Sequence, residues 1–407
     1  SELFPSELVK IATQHVEGVV LMDGGVTAHI SILARSFGLP VVLTRDKRIF
    51  QLAEETELIL DAHQGHVYVS PDEEVRQRFA ANLAAQKETI DPETLSEETR
   101  TSDGVRIQLQ ANINISHDAK TARRYRAEGI GLYRSEFPFI VRNDFPSEEE
   151  QYSIYRRIIE TMDGREVVLR TLDIGGDKLV TQPGLVESNP FLGYRGIRFS
   201  LGNEDLFRDQ LRAMLRAGEG GPLKILLPMI SSLDEFLASQ ELLNSCLSDL
   251  AQEGIPHNDA PQLGVMIELP SAVESVEALS RHADFLSVGT NDLVMYILGV
   301  DRTNDRVGSM YKEYHPAVLR SLQRVVQAAN KHGKPVSMCG DAASKAFMLE
   351  FLLGIGFTII SVEPELLPQM KSAVERASVE HAQKVAQTLL SFDTVNEVES
   401  FLYGSEE

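Results

Sequence analysis

At 407 residues the chain has room for two or three domains and a sizeable core, and its 43% apolar and 24% charged residues are those of an ordinary globular protein. A net charge of −21 without any Lys/Arg run excludes a nucleic-acid surface, so an anionic substrate would need arginines gathered locally. No run of about 18 apolar residues exists to make a membrane-spanning helix, and two distant cysteines, Cys246 and Cys339, exclude a disulfide scaffold and point to a reducing, cytoplasmic setting.

Residues 1–71 read as a small α/β unit. "EGVVLMD" (17–23) predicts a strand, and "AHISILARSFG" (28–38) a helix ended by Gly38. "PVVL" (40–43), "ELILD" (57–61) and "HVYVS" (66–70) predict three more strands. The acidic turn after Pro71 predicts a helix over about Glu73–Glu88, read as a linker, followed by an acidic loop up to Thr101.

From residue 102 the pattern becomes regular. Eight apolar strands alternate with helical stretches: "IQLQANI", "GIGLYRSEF", "VVLRTLDIGG", "KILLPMI", "LGVMIELP", "FLSVGTNDL", "PVSMCGD" and "FTIISVEP". Alternation of this kind implies parallel pairing, and eight units imply a closed (β/α)8 TIM-type barrel, with an open doubly wound sheet as the alternative. The expected organisation is therefore α/β: a small, partial domain over 1–71, a linker over 72–101 and a barrel over 102–407.

Catalytic groups of a barrel sit where its strands end. Those positions hold Asn112, Arg134, Glu136, Arg170, Asp173, Glu268, Asn291, Asp292, Cys339 and Asp341, with Arg195, Arg198 and Arg302 in following loops. Guanidinium forks suit phosphate or carboxylate. Glu268 and Asp292 are hard oxygen ligands on neighbouring strands, and two carboxylates completed by water and substrate oxygens are how Mg²⁺ is usually held. The bland reading is that these arginines and acids merely pair with one another. Their number points instead to a shared mouth for a small, multiply charged anion. Cys339 reads either as a small core residue or, at its strand end, as an exposed thiol able to exchange a proton.

The stretch "GGVTAHISILAR" (24–35) puts His29 after a glycine pair and at a helix start. A neutral imidazole is a competent phosphoryl nucleophile near pH 7, and the amides opening a helix favour phosphate. His63, His66 and His117 read as turn or surface residues.

This stretch resembles the phosphohistidine signature of phosphoenolpyruvate-utilising enzymes. "GIGLYRSEFPF", "LRTLDIGGDK", "NPFLGYRGIR", "VMIELP", "SVGTNDLVMYILGVDR" and "MCGD" resemble, in order, the barrel motifs of enzyme I of the phosphotransferase system. The resemblance implies a phosphoenolpyruvate-protein phosphotransferase in which His29 takes the phosphoryl group, pyruvate leaves, and a histidine-containing phosphocarrier protein receives the phosphate. It implies that Arg134, Arg170, Arg195, Asn291 and Arg302 hold substrate, that Glu268 and Asp292 hold Mg²⁺, and that Cys339 protonates the enolate. It also implies a cytoplasmic homodimer joined through the barrel and a small domain that swings.

Three residues depart from the family pattern: Ala28 stands where Ser precedes the histidine, Leu8 where a nearby Thr is usual, and Asp341 where Glu is usual. Ser1 corresponds to a point inside the phosphohistidine domain, so the expectation is a truncated member whose missing part would dock the phosphocarrier. The sequence also leaves open a pyruvate phosphate dikinase or phosphoenolpyruvate synthase relative, and a decayed phosphoenolpyruvate sensor.

Overall fold

The structure, a computed structural model, describes residues 16–22, 39–62, 64–86, 92–140, 144–175, 189–302, 304 and 306–404, the stretch 81–86 by its backbone alone. The predicted helix 28–38, with Ala28 and His29, and Leu8 lie outside the described residues. The chain divides into two compact units, residues 1–91 with 139–144, and residues 92–138 with 145–407.

In the first unit, β1 (Val19–Met22) runs parallel to β2 (Val41–Thr44), with Val19 facing Val41. β3 (Leu58–Asp61) and β4 (His66–Val69) form an antiparallel pair in which Leu58 opposes Val69. All four strands fall where the apolar runs predict them. The helix Glu73–Gln86 opens on Asp72, whose carboxylate accepts the Val75 amide at 2.9 Å, and Glu73 and Glu74 favour the positive end of the helix dipole.

The second unit contains a short β5 (Thr99–Arg100) and then eight strands: β6 (Arg106–Ile113), β7 (Gly129–Arg134), β8 (Glu166–Arg170), β9 (Leu223–Leu227), β10 (Gln262–Ile267), β11 (Phe285–Val288), β12 (Val336–Met338) and β13 (Ile359–Val362). Each pairs in parallel with the next, and β13 pairs in parallel with β6, Ile359 facing Gln108. That last pairing closes the sheet into the (β/α)8 barrel and removes the open-sheet alternative. The near-continuous apolar runs follow from burial on both strand faces. Alternation along β7–β11 sends Leu132, Val168, Leu226, Met266 and Phe285 inward, and Cys339, just past the end of β12, joins them in a single buried cluster. Their sequence neighbours, such as Leu169, Ile225 and Met338, join the larger core beneath the outer helices.

The helices carry their own start signals. Ser147 and Glu150 form a capping box before Glu148–Met162, and Ser232 and Glu235 form one before Leu233–Glu253. Gly254, at φ 67°, ends the latter in the left-handed conformation that glycine permits. The acidic loop expected up to Thr101 instead contains β5, which pairs antiparallel with β6 at the floor of the barrel. Lys371 is buried there, its Nζ donating to the Ser96 carbonyl at 2.9 Å and to Thr99 Oγ1 at 3.2 Å.

Candidate active site

The β7–β8 register places Arg134 beside Arg170 at the C-terminal rim. Arg134 donates to Asn114 Oδ1 at 3.2 Å. Arg170 is 7% exposed and donates to Glu136 Oε1 at 2.6 Å; its other fork lies 3.4 Å from Asp173 Oδ2. Asp173, 3% exposed, accepts both Nε and Nη2 of Arg195 at 3.2 and 2.8 Å. Arg195 Nη1 then reaches Asp292 Oδ1 at 3.3 Å and the Tyr296 hydroxyl at 3.4 Å. The result is a row of alternating charge, Glu136, Arg170, Asp173, Arg195, Asp292, buried except for the partly exposed Asp292 and drawn from three strand ends or the loops that follow them. Burial works against both guanidinium charges, but the flanking carboxylates outweigh it and hold Arg170 and Arg195 well above the ordinary arginine range.

Glu268, at the end of β10, is 1% exposed. Its Oε1 accepts the Met229 amide at 2.6 Å. Met229 sits at φ 57°, a conformation that costs a non-glycine residue about 1–3 kcal/mol and recurs at functional sites. On the other side a Cβ at position 289 would lie 2.9 Å from Glu268 Oε2, so only Gly289 lets the carboxylate sit there. Burial, then Asp292 and Asp173, push the Glu268 carboxyl up to about 8, against the pull of Arg170 and Arg195.

Asn291 and Arg302 meet through one residue. Asn291 Oδ1 accepts the Asp341 amide at 2.8 Å, and Arg302 Nη1 lies 3.3 Å from Asp341 Oδ2 with both side chains about half exposed. Asp341, which departs from the family pattern, thus spans the ends of β11 and β12. Arg198 lies apart from this group, donating to the carbonyls of Leu192 and Gly193.

Cys339 is 2% exposed, in contrast to the exposed thiol that its strand-end position led us to expect. It closes the inner apolar cluster, because the strand period turns it inward beside Met266 and Phe285. Burial raises its pKa. Asn112 is buried below it, its Nδ2 bonded to the Cys339 carbonyl at 2.9 Å and to that of Ser361 at 3.1 Å. His29 lies outside the described residues.

Arg170, Arg195, Glu268 and Asp292 therefore form one group, Asn291 and Arg302 share the Asp341 contact, and Arg134 stands beside Arg170. The partners Glu136 and Asp173 were visible in the sequence as strand-end acids but carried no assigned role. Arg170 Nε is buried without a hydrogen-bond partner among the described residues, and such an orphaned donor suits an anion entering the mouth.

Among the described residues no cluster of three or more His, Cys, Asp or Glu could hold a metal ion. Glu268, whose charge is opposed by burial and by Asp292 and Asp173, and Asp292 supply two carboxylates beside an anion-binding surface. That donor set suits Mg²⁺, which takes one or two carboxylates and keeps water and phosphate oxygens for its other positions.

Two family descriptions match the chain: "PEP-utilising enzyme, PEP-binding domain" over residues 91–379 and "PEP-utilising enzyme, mobile domain" over residues 1–65. The fold and the site thus fall within the class of phosphoenolpyruvate-utilising enzymes. A phosphoenolpyruvate-protein phosphotransferase from Geobacillus stearothermophilus is 38% identical over 98% of this chain and 70% of its own length. One from Bacillus subtilis is 36% identical over 98% and 71%. Multiphosphoryl transfer protein 2 of Escherichia coli is 36% identical over 98% of this chain and 48% of its own. The chain belongs to the phosphoenolpyruvate-protein phosphotransferase family. A solved citrate lyase from Burkholderia xenovorans covers 74% of this chain and 86% of its own at 17% identity and a TM-score of 0.44; the barrel assignment rests on strand pairing, not on that likeness.

Proposed function

We propose that this chain transfers the phosphoryl group of phosphoenolpyruvate to His29, releases pyruvate, and passes the phosphate to a histidine-containing phosphocarrier protein. The observation that carries the barrel's part is the row of charges from Glu136 through the buried Arg170, Asp173 and Arg195 to Asp292, around Glu268. Such a row keeps two guanidinium groups fixed before substrate arrives, so no reorganisation is needed as charge develops.

In this reading Arg134, Arg170, Arg302 and Asn291 hold the phosphate and carboxylate, while Arg195 faces the same anion from the other side. Glu268 and Asp292 hold Mg²⁺, which when bound offsets phosphate charge. Nε2 of His29 attacks phosphorus, the bridging P–O bond breaks, and its electron pair stays on the enol oxygen. Cys339 gives the enolate carbon a proton, completing pyruvate. Arg170 and Arg195 stay charged throughout because their acidic partners make deprotonation unfavourable.

Residues 1–71 act as the phosphohistidine domain, residues 72–101 as its connection, and residues 102–407 as the substrate barrel. The protein works in the cytoplasm, in sugar or nitrogen phosphotransfer, as a dimer joined through the barrel; among the described residues no helix is long and apolar enough to cross a membrane. Radiolabelled phosphoenolpyruvate with Mg²⁺ is expected to label the intact protein and not its His29→Ala variant. An intact protein that takes up no label, or a His29→Ala variant labelled equally well, would refute the assignment.

A further inference from the structure

The barrel wall beside Cys339 carries hydroxyls where methyl groups would pack more simply. The β11–β12 register sets Ser287 next to Ser337, and the two-residue period of a strand puts Ser337 and Cys339 on one face. Ser337 Oγ lies 3.0 Å from Ser287 Oγ, which lies 3.3 Å from Cys339 Sγ. Ser287 is fully buried. Among the described residues the sulfur's other hydrogen-bond contact is the Val288 carbonyl at 3.4 Å, which accepts from a thiol and offers nothing to a thiolate. Among the described residues, Ser287 is the hydrogen-bond donor that reaches this sulfur. Two buried hydroxyls carry a desolvation penalty that methyl groups would not, so their presence here calls for a use.

We propose that Ser287 is a positioning residue for proton transfer to the enolate, its hydroxyl orienting the Cys339 sulfur and stabilising the thiolate that remains. The proposal rests on the reading of Cys339 as the acid. In that step the S–H bond breaks and a C–H bond forms at the methylene carbon. The enolate π pair takes the proton, the S–H pair stays on sulfur, and solvent restores the proton after product leaves. While the thiol is protonated, the Ser287 hydroxyl can turn to Ser337 or to sulfur. A thiolate can only accept, so Ser287 must then donate to it and Ser337 to Ser287, and each bond strengthens the next.

The charged groups facing the thiol are Arg134 and Arg170, which favour the thiolate, and Glu268, which opposes it. Burial is the largest influence on the thiol and raises its pKa; the Ser287 hydrogen bond is the next largest and acts against it. The serine therefore makes a buried, weak acid a better one without exposing it.

The test follows single-turnover pyruvate formation against pH in the intact protein with phosphoenolpyruvate and Mg²⁺. Ser287→Ala is expected to slow the step about tenfold and move its alkaline limb up by about one pH unit, with KM unchanged, because the thiol becomes less acidic. Ser287→Thr, which keeps the hydroxyl, should restore both. Ser337→Ala, one bond further away, should change both in the same direction by less. A Ser287→Ala profile equal to wild type overturns the proposal, and so does a slower rate with an unmoved limb, the mark of a packing defect. Cys339→Ser separates the two levels. An unchanged rate there places the acid elsewhere and removes the role of Ser287 with it. A slowed Cys339→Ser beside an unaffected Ser287→Ala rejects Ser287 alone.

Discussion

Replacing Glu268 by Gln should make the metal-free protein more stable, although the change falls at the centre of the site. The Glu268 carboxyl is 1% exposed and is pushed up to about 8 by burial and by Asp292 and Asp173. An unfolded chain returns it to an ordinary value near 4.5. Between those limits the folded state holds a proton that the unfolded state has lost, so stability falls as pH rises. At pH 7 about two and a half units have been crossed, and at about 1.4 kcal/mol each the burden is about 3 kcal/mol. Gln cannot ionise, its amide oxygen can still accept the Met229 amide, and it should recover most of that amount. Mg²⁺ should reverse the order, because a dication favours the wild-type carboxylate and gains less from the amide.

Thermal unfolding between pH 5 and 8, in chelator and again in Mg²⁺, measures this directly. In chelator the two proteins should melt together near pH 5, with Glu268→Gln the higher near pH 8; in Mg²⁺ wild type should gain more. A variant that melts lower than wild type at pH 8 in chelator, or an equal Mg²⁺ gain in both proteins, would refute the reasoning.

Asp173→Ala should cost about 3–5 kcal/mol, because two buried guanidinium groups lose a shared partner; urea unfolding checks this, and an unchanged midpoint would mean that Arg195 is held by Asp292 alone. His315 caps the helix Pro316–Lys331 through Nδ1, which accepts the Ala317 amide at 3.1 Å, and burial lowers its pKa. The neutral ring is the stabilising form. Its contribution should be complete above the unfolded value near 6.5 and be lost as pH falls through the lower folded value. His315→Asn keeps an acceptor at every pH and should lose less stability than wild type between pH 7.5 and 5, read from urea midpoints; parallel pH profiles for the two proteins would refute the cap.

The barrel was legible because a strand buried on both faces must be apolar along its length, so "LGVMIELP" or "VVLR" announces itself without knowledge of its neighbours. The arginines and the Glu268–Asp292 pair were legible because charge at the end of an apolar run is conspicuous. The pairings were not. Nothing local says that Arg195 turns its fork to Asp173, more than twenty residues earlier, since that depends on two loops converging in space. The depth of Cys339 was readable in principle. Counting back by twos from Cys339 reaches Ser337, small and polar inside an apolar strand, a sign of an inward face under special demand. β5 went unread because two residues carry no period, and its place comes from Lys371 and from the edge of β6.

The pairing of β13 with β6 joins parts of the chain about 250 residues apart; Asn112 and Ser361, which bond across that seam, are separated by 249. During synthesis, then, residues 108–111 of the first strand wait for their β13 partner until nearly all of the chain has emerged. Contacts of such long sequence separation form slowly. A ribosome that stalled before residue 359 would leave seven of the eight strands in an unclosed sheet, a species fit for chaperones or proteases and not for chemistry.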